Sequence, residues 1–171
     1  LLWNQYCFVY LAVVCGGRAV PLMWMGLEHG SASLAFEKYE PLLDRAKGYL
    51  QGFENVMLLA DRGFANQQLI QWLRKNTWHW CLRLPCDTLI YGVRRRGFGY
   101  EVRELYPPKR QACFYRNVQV WQEARITAHL ALASVPGVKD NWAILSDEPP
   151  TLDTFWQYGL RFPIEHLFQG Q

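Results

Sequence analysis

Asp61 follows directly on the apolar run Val56–Ala60, in the stretch VMLLADRGF. A short, wholly apolar run of this kind reads as a buried central strand covered on both faces. Ligands of open α/β sheets collect beyond the carboxyl ends of the strands, so a carboxylate at this point can hold a metal ion. Gly63 lets the backbone turn tightly and Arg62 adds a positive charge beside the acid. The same Asp also fits a simpler use, as a turn former or helix cap. Near the other end, Tyr158, Arg161 and Glu165 follow i, i+3, i+7 spacing and share one stripe of a helix. Such a stripe can offer a carboxylate to a metal while Arg and Tyr hold a phosphate. A solvated helix face with an intrahelical Arg–Glu pair fits the spacing too. Pro163, between Arg161 and Glu165, removes an amide donor and disturbs that helix.

The elements that must position these residues are legible in outline. Tyr6 to Val14 and Ala19 to Leu27 read as two strands joined by the turn Cys15-Gly16-Gly17-Arg18. Gly30-Ser31-Ala32-Ser33 offers cap choices for a helix to about Leu50, with Ala35, Tyr39, Leu42, Leu43, Ala46 and Leu50 at three- and four-residue spacing. After Asp61 a helix runs from Asn66 to Lys75, with Leu69, Ile70 and Leu73 inward, and Trp78 to Leu84 is a strand. Strand, helix, strand implies a parallel pair and an α/β sheet. Between Pro85 and Ser146 the texture becomes β-rich, with runs at Leu89–Val93, Ala112–Val120, Thr127–Ala133 and Trp142–Ser146. Pro149-Pro150-Thr151 then caps a last helix, from Leu152 to about Phe168.

Composition sets the bounds. The chain has 171 residues, half of them hydrophobic and 19% charged, which suits a globular domain and not a disordered segment. The net charge of +3 is too small to establish a nucleic-acid partner, although Arg dominates the basic residues. Cys7, Cys15, Cys81, Cys86 and Cys113 are scattered and odd in number, as expected of buried or inert thiols in a reducing cytosol. No run is long enough to span a membrane, and the apolar stretch Cys7–Val14 lacks the flanks of a signal peptide.

The stretches GRAVPLMW, EHGSAS, LLADRGF, WHWCLRL and YGLRFPIEHLF stand in an order and spacing that resembles the DDE-class insertion-sequence transposases. In particular the chain resembles the group whose signature is Tyr, two residues, Arg, three residues, Glu, six residues, Lys. The resemblance covers nearly the whole chain. It implies an α/β, ribonuclease-H-like mixed sheet flanked by helices, with a β-rich insertion before the last helix. Residues 1–84 would begin the catalytic core, 85–148 form the insertion, and 149–171 return to the core as the catalytic helix. It also implies three carboxylates holding two Mg²⁺ (or Mn²⁺) ions for in-line phosphodiester displacement. Asp61 would be the second Asp and Glu165 the third acid, with Tyr158 and Arg161 on the phosphates of a transposon end.

On the same basis the partners would be transposon-end and target DNA, with a homodimer in the full-length synaptic complex. The location would be the bacterial cytoplasm, nucleoid-associated when bound to DNA, with no membrane partner. Arg94, Arg95 and Arg96 fall on a hairpin tip of the insertion and can meet DNA phosphates, as Arg62 can; a solvated turn is the alternative for the triplet. The chain departs from the family at two points. No Asp precedes Asp44, which lies in the first helix, so the first acid is expected before Leu1. The signature lysine would fall one residue past Gln171. The expectation is a truncated catalytic domain that does not transfer strands alone. The alternative is a decayed remnant that at most binds DNA.

Overall fold

A computed structural model describes residues 2–3, 6–28, 34–137 and 141–162, and these divide into two compact units. One comprises 1–56 with 159–171, the other 57–158. The first contains strands β1 (Leu2–Trp3), β2 (Tyr6–Cys15) and β3 (Arg18–Glu28), an antiparallel sheet in that order, and helix α1 (Phe36–Tyr49) packed on β3. Gly16 and Gly17 close the β2–β3 hairpin at φ +57° and +75°. Two successive left-handed residues match the twist of the flanking strands, and glycine adopts that conformation without a Cβ penalty. Past Leu11↔Met23 the register slips to Ala12↔Pro21. The slip sits beside a proline, which has no amide to give the ladder.

Helix α1 starts later than its cap candidates suggest. Its N-cap is Ala35, without a side-chain hydrogen bond, and Gly30 to Ser33 lie outside the described residues. Tyr39, Leu42, Leu43 and Ala46 are buried as the periodicity requires; Phe36 joins them, whereas Ala35 is exposed and Leu50 half-buried. Phe36 meets Tyr39 edge to face at 5.4 Å.

The second unit is built on one seven-stranded mixed sheet in the order β4-β5-β10-β9-β8-β6-β7. Its strands are β4 (Met57–Ala60), β5 (His79–Arg83), β6 (Leu89–Tyr91), β7 (Tyr100–Glu101), β8 (Ala112–Val120), β9 (Ile126–Ala133) and β10 (Trp142–Ser146). β4 and β5 run parallel through the crossover helix α2 (Gln67–Lys75), and every other pairing is antiparallel. α2 begins on Asn66, whose Oδ1 accepts from the Leu69 amide at 2.8 Å, and it buries Leu69, Ile70, Trp72 and Leu73. An alternating pattern did not reveal β7 or the four-residue helix α3 (Val102–Leu105), which are too short for periodicity to register. α3 is instead marked by its capping box, in which the Glu101 amide donates to the Glu104 carboxylate at 2.7 Å.

Two expectations are corrected. β4 is not a buried central strand: it is an edge of this sheet, and its four residues are all half-buried. An apolar run reports burial demand and not position in the sheet, so edge and centre cannot be told apart from it. The last helix is interrupted: α4 (Leu152–Gly159) gives way to a turn at Leu160 and Arg161, Phe162 is helical again, and the rest of the expected helix, to Phe168, lies outside the described residues. Gly159, at the end of α4, is a poor helix former.

The core of this unit gathers Trp80, Leu82, Ile90, Leu130, Leu132 and Ile144, all fully buried. Ile144 also packs in a cluster with Cys81, Ala131 and Tyr158. Replacing Ile144 by Ala is expected to cost about 2–5 kcal/mol, through lost burial plus the cavity left behind. Leu152→Ala, at a position 70% exposed, should stay within about 0.5 kcal/mol. Denaturant unfolding of the two variants against the parent chain checks both.

Candidate active site

Asp61 stands where the parallel strand β4 ends. It is the N-cap of a single 3₁₀ turn, Arg62–Phe64, and its Oδ1 accepts from the Arg62 amide at 2.7 Å. The turn-forming use of this Asp is therefore present. It occupies one oxygen only; among the described residues Oδ2 takes no hydrogen bond. A carboxylate fixed at one oxygen by its own backbone leaves acceptor capacity on the other. A half-exposed oxygen ligand of this kind suits Mg²⁺ or Mn²⁺, which prefer hard oxygen donors. Among the described residues no three His, Cys, Asp or Glu side chains converge on a metal position. Asp61 thus offers one ligand, and Glu165 lies outside the described residues.

The remaining expected residues separate by exposure. Tyr158 is fully buried: it packs edge to face on Trp142 at 5.6 Å and against Cys81, Ala131 and Ile144. A ring with no exposed surface seats α4 on the sheet and does not reach a phosphate in this arrangement. Its place in the apolar cluster could not be read from a stripe of i, i+3, i+7 residues, because spacing along a helix does not say which face meets the sheet. Arg161 is half-exposed, with its guanidinium 5.5 Å from the Phe162 ring centre. Arg62 is exposed beside Asp61.

Arg94, Arg95 and Arg96 are all exposed, in the loop between the paired strands β6 and β7. Arg95 lies over Phe98 at 4.2 Å and Arg94 over Tyr100 at 5.6 Å, and Arg94 also donates to the Glu104 carbonyl at 3.3 Å. Behind them Arg125 covers the Tyr91 ring at 3.5 Å. Gly99 is required here, since a Cβ would stand 2.7 Å from that ring. Stacking of this sort restrains a long side chain while leaving the charge available.

A second polar cluster, missed by sequence reasoning, lies at the opposite end of the parallel strands. The register carries β10 antiparallel along β5, from Ile144↔Arg83 to Ser146↔Cys81. The next residue, Asp147, therefore reaches the amino end of β5. There it accepts from His79 Nδ1 at 2.7 Å and from the Trp80 amide at 2.9 Å, with Glu148 3.6 Å from the same ring nitrogen. A cavity of about 220 Å³ opens beside it, lined by Met57, Cys81, Ser146, Asp147, Thr154 and Gln157 among others. This hollow is at the wrong end of β4 for Asp61, and geometry outweighs its size. The only advance signal was an acidic pair after an apolar run, which is common at strand ends.

Of the five cysteines, all free, Cys7 and Cys81 are buried, Cys113 is half-buried, and Cys15 and Cys86 are exposed. Burial, with the charges of Asp147 and Glu148 adding to it, pushes the Cys81 thiol up to about 12, so it stays protonated and inert.

The sheet and its strand-end carboxylate define an α/β protein with a candidate site at the carboxyl end of a parallel pair. The chain belongs to the transposase DDE domain family, whose family model matches residues 5–169. Its class is thus that of transposase catalytic domains, which act on DNA with divalent metal ions. No curated protein matches it.

The hydrogen bond to Asp147 holds the His79 pKa above its ordinary value, with the charges of Asp147 and Glu148 helping and burial opposing. A pKa raised on folding adds stability that is complete below the unfolded value, about 6.5, and lost as pH rises through the folded one. Denaturation midpoints should therefore fall across that window, and His79→Gln should flatten the fall. A ring titration by NMR giving a His79 pKa at or below the unfolded value would contradict this.

Proposed function

We propose that this chain carries part of a two-metal phosphodiester site on a ribonuclease-H-like core, with Asp61 and Glu165 as metal-binding carboxylates. The observation that carries the reading is the position of Asp61, a part-free carboxylate at the carboxyl end of the parallel strand β4, in a member of the transposase DDE domain family. A hairpin, a helix and then a parallel β-α-β unit is the order that such a core uses. α4 returns along β10 until Tyr158 meets Trp142, the first residue of that strand. This brings Tyr158 to the same end of the sheet as Asp61.

The residues then have separate tasks. Asp61 presents its free oxygen to a cation while the Arg62 amide keeps the carboxylate from rotating. Bound divalent ions supply Lewis-acid stabilisation of the phosphate oxygens and a nucleophile at neutral pH. Arg62 offers donors to phosphate oxygens near that point, and Arg161 would serve the phosphates of a transposon end. Arg94, Arg95 and Arg96 contact the DNA backbone further along, without reading sequence. Tyr158 serves by fixing α4. The partner is DNA, transposon end and target.

Two measurements test this. Mn²⁺ added to the isotopically labelled chain should broaden the amide signals around Asp61, and Asp61→Asn should abolish that broadening while leaving the spectrum otherwise intact. Broadening that survives the substitution counts against Asp61 as a ligand. Independently, replacing Arg94, Arg95 and Arg96 together by Ala should weaken duplex DNA binding and lower the log–log salt slope by about 2–3. An unchanged slope would remove the loop from the interface.

A further inference from the structure

α4 packs on one face of the seven-stranded sheet, where Cys81, Ala131 and Ile144 meet Tyr158. Side chains alternate along a strand, so the same face continues down β9 through His129 and Thr127. Gln119 pairs with Thr127 and Tyr91 with Gln119, which carries the face onto β8 and β6. Between Tyr115↔Leu130 and Val118↔Ala128 the register slips, so Arg116 and Asn117 both stand opposite His129. A bulge of this kind re-aims side chains. Asn117 takes up the bend at φ +55°, a left-handed backbone that Asn tolerates better than most residues. The resulting strip is open: Arg116, Asn117, Gln119 and Thr127 are exposed, and His129 is half-buried.

The bulge also fixes the chemistry of His129. The Asn117 amide donates to its Nδ1 at 3.2 Å, so the ring proton sits on Nε2, which is left as a donor. Burial and the Arg116 charge hold the His129 pKa below its ordinary value, against the charge of Asp147, which His79 and the Trp80 amide already engage. His129 is thus an uncharged donor beside a cation. No carboxylate pairs with Arg116 among the described residues. Further along the strip, Arg125 lies over Tyr91 and donates to Gln119 Oε1 at 3.4 Å. A Cβ on Gly92, at the root of the arginine loop, would stand 4.0 Å from the Asn117 carbonyl oxygen, so loop and bulge adjoin. Residues 89–99 and 112–133 together hold five arginines against one acid, Glu123. We propose that the open face of β8 and β9, centred on Arg116 and His129, is a second phosphate-binding strip that carries the backbone of duplex DNA onward from the arginine loop. Arg116 supplies charge, and His129 Nε2–H supplies an uncharged hydrogen bond to a phosphate oxygen. The strip extends the DNA contact assigned above to Arg94, Arg95 and Arg96 and rests on that assignment; all its residues belong to the second unit.

The test follows binding of a fluorescent DNA duplex to the full chain by anisotropy over a series of NaCl concentrations. Arg116→Ala should weaken binding and lower the log–log salt slope by about 1. His129→Leu should weaken binding about fivefold at every salt concentration with the slope unchanged, because a neutral donor displaces no counterions. His129→Gln should recover most of that loss, since its amide can accept from Asn117 and still donate outward. An unchanged slope in Arg116→Ala, or parent-like affinity in His129→Leu, overturns the proposal. If His129→Leu shifts amide signals beyond β8 and β9, its fold is disturbed and the exposed Arg116→Ala decides: a slope lower by about 1 supports the strip, and no drop overturns it. Tighter binding to an RNA duplex of the same sequence overturns DNA as the occupant. A slope that falls when Arg94, Arg95 and Arg96 are replaced but not in Arg116→Ala overturns the strip and leaves the loop assignment standing. A parent chain that does not bind duplex DNA overturns both.

Discussion

The pairing of β10 with β5 is the constraint on which the second unit depends. It joins segments more than sixty residues apart through the register Ile144↔Arg83, Leu145↔Leu82 and Ser146↔Cys81. Closing so long a connection costs chain entropy, which grows slowly with length and must be offset by what the contact buries. Trp80, Cys81, Leu82, Ala143, Ile144 and Leu145 are all at or near zero exposure, so this stretch of the sheet is dry on both faces. Backbone amides there have no water to turn to, and the ladder becomes obligatory. Once β10 is fixed, the rest follows. β9 and β8 extend the sheet on its far side, Asp147 arrives opposite Trp80, and α4 starts from a defined corner.

The sheet thereby separates two kinds of chemistry. At the carboxyl end of β4 a carboxylate is held by one backbone amide with an oxygen to spare, as a cation ligand requires. At the amino end Asp147 is engaged at both oxygens and has a structural task. Their exposure is similar, and it is the number of protein donors that distinguishes them. The arginine loop adds a third arrangement, in which charges are stacked on aromatic rings and not paired with carboxylates, so they remain available to phosphate. Arg103, by contrast, is ion-paired with Glu101 at 2.6 Å just beyond the loop, which reduces its use for DNA.

Tyr158 shows why a motif and its geometry must be separated. Its spacing from Arg161 suits a shared functional stripe, but its ring is packed on Trp142 in the apolar cluster. Burying an aromatic ring is worth more than a single exposed contact, so the residue is spent on seating the helix. A turn at Leu160 and Arg161 follows directly on α4.

Much of the architecture is local and was therefore legible. The Gly16-Gly17 turn, the start of α2 to within a residue, and the boundaries of β8 and β10 follow from turn chemistry and apolar runs that need no distant partner. The crossover from β4 to β5 follows from strand-helix-strand order, and the placement of Asp61 at a strand end follows from it. What the amino-acid sequence could not decide was long-range. That β4 lies at a sheet edge, that β10 inserts between β5 and β9, and that His79 meets Asp147 all depend on which strands pair. Pairing partners are chosen by burial and backbone hydrogen bonding summed over the whole sheet, and no window of adjacent residues contains that sum. Sequence alone thus determined the elements and the candidate acids, and tertiary structure decided which acid is left open to a ligand and which is tied down.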